Sequence, residues 1–228
     1  MKISKNNVSK FFKLIITLIM YVTYTEILKY LFLFTKVSAI GVHIISDLIF
    51  LIGIIFLYKN SLKDDYYKLK QCNKKRLIIE VIKYLLIILC MSVLVEAISA
   101  IFVHQSFSLR FSNTIGNKAL FGFYSEHTLF KALIFAVIAE ELIFHKALSE
   151  VINNKVLFVI ISSLIYVAMN VMFGSPLNSL LWLDIILYSI FYFTLAIAYV
   201  KNDNNIFVPM IMKFIYNLCM VLLSIWLG

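Results

Sequence analysis

Seven stretches of this chain stay apolar for about 20 residues with no strand-like alternation, near 11–34, 38–58, 77–103, 128–150, 155–173, 177–200 and 206–227. A helix needs roughly 20 apolar residues to cross a bilayer, whereas a barrel strand shows about 10 alternating ones. The run length therefore predicts an all-α fold: a polytopic transmembrane helical bundle of about seven spans. Composition closes off the other classes. The chain is 62% hydrophobic and 14% charged, against about 45–50% apolar and about 25% charged in soluble domains. A water-soluble domain could not hide that much apolar surface. Disorder is excluded by the same sparse charge, and collagen-like or low-complexity sequence by the presence of only 6 Gly and 2 Pro.

The 21 Lys and Arg outnumber the 12 Asp and Glu, and their placement carries more than their number. Lys2, Lys5, Lys10 and Lys13 precede or open the first run. Lys59, Lys63, Lys68, Lys70, Lys74, Lys75 and Arg76 fill the segment between the second and third. The connection at Lys36 has one basic residue, and the 174–176 loop and the C-terminal end have none. Basic residues near span ends favour the cytoplasmic side, so the pattern predicts an inside N-terminus and an outside C-terminus. Seven spans satisfy that parity. The bilayer is the expected partner; no groove-reading motif accompanies the charge, so nucleic acid is not. Residues 59–76 read as a basic surface helix at the inner interface. The first run, about 24 residues, exceeds the 7–15 of a signal peptide's apolar region and reads as an uncleaved span. Cys72, Cys90 and Cys219 show no disulfide or zinc spacing. With no fixed-period repeat, and 104–127 too short to fold alone, residues 1–228 read as a single integral membrane domain.

Any chemistry must then come from polar residues inside the spans, where an ionisable group costs about 2.5–3.5 kcal/mol at mid-span. The strongest candidate is Glu140-Glu141, followed by His145, in the fourth span. Neighbouring residues on a helix point about 100° apart, so one carboxyl is expected to face a polar cavity while a neighbour holds the other. Such a pair can divide labour, one carboxylate acting as base and the other setting position or charge; it can equally be a polar lock between helices. His145, one turn on from Glu141, reads as the partner of a carboxylate. Tyr166 and Asn170 in the fifth span, and Lys213 and Asn217 in the seventh, are four apart and share one helix face each. With inner turns expected at Asn153-Asn154 and at Asn202–Asn205, a rise of 1.5 Å per residue puts Glu140 roughly 20 Å, Asn170 roughly 24 Å, Lys213 about 12 Å and Asn217 about 18 Å along their helices. These depths allow the groups to line one cavity. His43 and Asp47 have ligand-like spacing but read as an interhelical hydrogen bond near the outer boundary. His104 and His127 read as outside and without a role.

In order along the chain, Glu140-Glu141-x-x-x-His145, Tyr166-x-x-x-Asn170 and Lys213-x-x-x-Asn217 resemble the three motifs of the CAAX-protease and bacteriocin-processing (CPBP, or Abi) family of intramembrane endopeptidases. In that family the motifs run Glu-Glu-x-x-x-Arg, Phe-x-x-x-His and His-x-x-x-Asn. The family-like core covers 128–220, with Ser162-Ser163 and Pro209 as supporting texture. The resemblance implies a multi-pass protein of a bacterial cytoplasmic membrane. It implies catalytic positions at Glu140, Glu141, Asn170, Lys213 and Asn217, supported by His145 and Tyr166.

The departures bear on activity. His145 stands where Arg is usual and Tyr166 where Phe is usual. Asn170 and Lys213 replace both motif histidines, groups that in the family bind metal or polarise the scissile carbonyl. Asn is a poor ligand for zinc-like ions and a protonated lysine is none. An ammonium beside a carboxylate also favours its charged form, making it a weaker base. The resemblance thus implies a catalytically impaired relative, a membrane-embedded regulator of another membrane protein or a bacteriocin self-immunity protein. No cofactor is expected, and a divalent metal only if the site is active. The alternative is an active CAAX-type endopeptidase cleaving peptides or prenylated proteins, with Glu140 as general base and Asn170 and Asn217 as oxyanion donors.

Overall fold

The structure is a computed structural model describing residues 5–32, 38–103, 127–174 and 181–226. The expectations for the Lys36 connection, for 104–126 with His104, for the loop at 175–176 and for the last two residues lie outside those. Eight helices account for the described residues: α1 Lys5–Phe32, α2 Ala39–Leu57, α3 Lys59–Gln71, α4 Lys74–Val103, α5 at 127–151, α6 Lys155–Gly174, α7 Leu181–Lys201 and α8 Phe207–Trp226. Seven of them fall on the seven expected spans, and α3 on the expected surface helix.

By length and apolar content, four are able to cross a membrane among the described residues: Val8–Tyr30, Ile40–Leu57, Lys74–Val95 and Trp182–Lys201. Lys155–Val171 and Phe207–Leu222 are shorter apolar stretches, at the lower end of what spans. The outward faces of α1 and α4 expose Phe11, Phe12, Ile19, Ile78, Ile82 and Leu86. In water such ridges would drive aggregation; in a bilayer they meet acyl chains at no cost. The protein is an integral membrane protein.

Helix α5 is the buried axis, packed against α1, α2, α6 and α8. Ala139, Leu142, Ile143 and Phe144 are fully buried along it. Its hydrogen bonding is unusual, for Lys131–Glu140 and Leu142–Ala147 are π-helical between α-helical ends at 127–130 and Leu148–Val151. π-Helical geometry is rare and recurs at functional sites, because it re-aims side chains. Glu141 sits at the seam between the two stretches.

The turns at Asn153-Asn154 and at 202–205 form where expected. Asn154 Oδ1 accepts from the backbone N–H of Val156 and Leu157 and caps α6. Asp203 and Asn204 take left-handed φ values of 56° and 54° in the α7–α8 turn, a conformation those residue types tolerate. Two sequence expectations need correction in detail. Helix α3 is not merely laid on the membrane surface: Asp65 is buried, Lys146 Nζ donates to its Oδ2 at 2.6 Å, and the Ile206 N–H donates to the same oxygen at 3.2 Å. His127 is not idle either. It heads α5 with Nε2 2.9 Å from Asp47 Oδ2, while the Tyr24 hydroxyl donates to Asp47 Oδ1 at 2.6 Å. Asp47 does join helices, as expected, but its partners are Tyr24 and His127 rather than His43. Two polar partners explain how a carboxylate is held in a span.

Candidate functional site

Helices α5, α6 and α8 bring Glu140, Glu141, His145, Tyr166 and Lys213 into one cluster. Glu140 Oε2 accepts from Lys213 Nζ at 2.6 Å and from the Tyr166 hydroxyl at 2.5 Å. Its Oε1 accepts from the Tyr21 hydroxyl at 3.2 Å. Lys213 Nζ also donates to the Tyr166 hydroxyl, so that phenol accepts one hydrogen bond and donates another. Glu141 points elsewhere, as the helical step between neighbours requires. It is fully buried, with Oε1 3.3 Å from Lys213 Nζ and Oε2 2.6 Å from His145 Nδ1.

The surroundings are aromatic. Tyr192 stacks on Tyr166 with ring centroids 3.6 Å apart, and the Lys213 ammonium lies 4.6 Å from the Tyr166 ring centre. Tyr199 and Phe158 flank the buried His145 ring. Two carboxylates therefore face one lysine in a buried setting. Buried charge is tolerated on such terms, paired and hydrogen-bonded.

Two of the seven candidate side chains do not point into the cluster. Asn170 Nδ2 donates to Tyr166 O one turn back on its own helix, at 3.0 Å. Asn217 Nδ2 donates to Ala132 O at 2.7 Å, satisfying a carbonyl in the π-helical stretch and fixing α8 to α5. Sequence reasoning missed Tyr21 and Tyr192. Tyr21 lies on the first span with Thr17 one turn before it and Tyr24 one turn on, the signal that this face of α1 is polar; Tyr192 carried none.

A catalytic metal does not fit these residues. Lys213 brings a cation to the carboxylates, the nearest imidazole nitrogen is spent on Glu141, and the described residues include no group of three or more His, Cys, Asp or Glu placed to hold an ion.

Residues 127–219 match the family model of type II CAAX prenyl endopeptidase Rce1-like proteins. No curated protein and no solved structure matches the chain. The Rce1-like region takes in α5, α6, α7 and α8 as far as Cys219, and with them every member of the cluster except Tyr21. Helices α1 to α4 lie outside it. Tyr21 thus ties the Rce1-like glutamate to a helix beyond the matched region, across 119 positions of sequence.

Proposed function

We propose that this chain is an impaired relative of the Rce1-like intramembrane endopeptidases that works by binding, regulating another membrane protein or protecting its producer from a bacteriocin. The observation that carries this reading is the state of Glu140. Its carboxylate accepts from Lys213, Tyr166 and Tyr21 at once. A general base must instead accept a proton from water at that carboxylate. Lys213 and Asn170 stand at the positions of the family's histidines, and neither replaces what a histidine would do there. What remains is a rigid intramembrane framework able to present α1, α2 and α4 to a partner.

The expected result with purified protein and prenylated or leader-peptide substrates is no turnover that Glu140→Gln removes. Robust turnover abolished by that substitution overturns the reading in favour of an active endopeptidase. Restoring both histidines, as Asn170→His with Lys213→His, is expected to recover only part of an activity, because the supporting hydrogen bonds that orient ligands are also changed.

The second reading, an active protease, draws on the retained Glu140-Glu141 pair and the Rce1-like match. It requires Asn170 and Asn217 to leave their backbone carbonyls to serve as oxyanion donors. The proposed setting is a bacterial cytoplasmic membrane with the N-terminus inside. Reporter fusions are expected to place 60–76 in the cytoplasm and the C-terminus outside. A cytoplasmic C-terminus overturns that topology.

A further inference from the structure

At the end of the bundle that carries the basic segment, a cavity of about 250 Å³ opens between the α3–α4 corner and the α7–α8 turn. Lys68, Arg76 and Lys201 line it, against Asp203 as the one carboxylate in its wall. All four side chains are exposed. Asp65, behind Lys68 at 3.5 Å, does not cancel the excess, because Lys146 already holds it at 2.6 Å. The floor is apolar, with Leu77 and Val208. On the neighbouring face of α4, Ile78 and Ile82 are exposed within the span Lys74–Val95.

We infer that this cavity binds the phosphate headgroup of an anionic phospholipid, with the acyl chains laid along α4. Three observations agree. The wall carries two net positive charges at the level where spans end, the setting in which basic pockets between transmembrane helices take lipid headgroups. The volume falls below the roughly 300–1,000 Å³ of pockets for drug-sized ligands, yet it has room for a phosphodiester. The cavity adjoins α4, whose neighbouring face exposes Ile78 and Ile82 within a span, a place for acyl chains that a site for a free solute does not need. The inference is independent of the Glu140 cluster, which lies within the bundle.

The test is the melting temperature of the purified full chain in detergent, titrated with phosphatidylglycerol, phosphatidylcholine or inorganic phosphate. Phosphatidylglycerol is expected to raise it saturably and the other two to leave it unchanged. Lys68→Gln, Arg76→Gln and Lys201→Gln are each expected to weaken the apparent phosphatidylglycerol affinity by about fivefold, while Lys63→Gln, outside the cavity, leaves it unchanged. Asp203→Asn keeps the left-handed turn and removes the opposing charge, so it is expected to strengthen binding. Equal weakening by Lys63→Gln, or no gain with Asp203→Asn, would reveal diffuse surface attraction and overturn the site. A full shift with inorganic phosphate alone overturns the lipid assignment.

Discussion

Lys213→Met is expected to lower stability by about 3–5 kcal/mol, the usual cost of stripping one partner from a buried ion pair. In a chain of this size that corresponds to a fall of about 10 °C in melting temperature. The side chain is almost fully buried, 2.6 Å from Glu140 and 3.3 Å from Glu141. Its loss leaves two carboxylates in a site with little water to screen them. The second substitution is the informative one. Glu140→Gln added to Lys213→Met is expected to restore most of the loss, because Glu141 keeps His145 as its partner. Glu141→Gln added to Lys213→Met is expected to restore less, since it also strands the buried His145 ring. Thermal unfolding in detergent closes both double-mutant cycles. Additivity within about 0.5 kcal/mol in both would mean that Lys213 contacts neither glutamate, and the convergence of α5 with α8 would lose its main support.

That convergence is legible in the sequence, and the reason is geometric. Helix rise is constant, so depth from a turn can be counted, and Asn153-Asn154 and Asn202–Asn205 mark their turns by composition alone. The spacing of four between Glu141 and His145 likewise fixed a shared face, and the two groups bond at 2.6 Å. Rotation about a helix axis was less legible. Asn170 and Asn217 have the right depth, yet each amide turns to a backbone carbonyl. Both sit on ordinary α-helices, and hydropathy carries no mark of which backbone carbonyl an amide on such a helix reaches. Contacts from other helices were hidden for a different reason. A tyrosine in a span reads as interfacial packing, and nothing local to Tyr21 says that a glutamate lies across from it. His127, next to an apolar run, looked exposed for the same want of a visible partner. In both cases the missing quantity was a long-range pairing, which no periodicity within one helix encodes.

Asp65 is the clearest such case, and it yields the second large effect. In sequence it sits beside Asp64 among lysines, the pattern of a solvated basic helix. In the fold it is fully buried, and it joins three elements. Lys146 of α5 donates to it, the Ile206 N–H before α8 donates to it, and its own backbone carbonyl accepts from Asn205 Nδ2 at 3.0 Å. The bond to Ile206 anchors the turn from which α8 starts, seven residues ahead of Lys213. Lys146→Met leaves Asp65 with Lys68 at 3.5 Å as its remaining cation, half-exposed on the same helix. The expected loss is about 3 kcal/mol, the lower end for a broken buried pair, because Lys68 compensates in part. Asp65→Asn alone keeps an acceptor for Ile206 but strands the Lys146 ammonium, so it is expected to destabilise as well. Combining the two removes both charges and should cost less than either. Melting temperatures of the three variants check this order. A Lys146→Met protein as stable as the parent would show that α3 is held by its contacts with lipid rather than by Asp65. The α3 clamp would then have no part in setting where α8 begins.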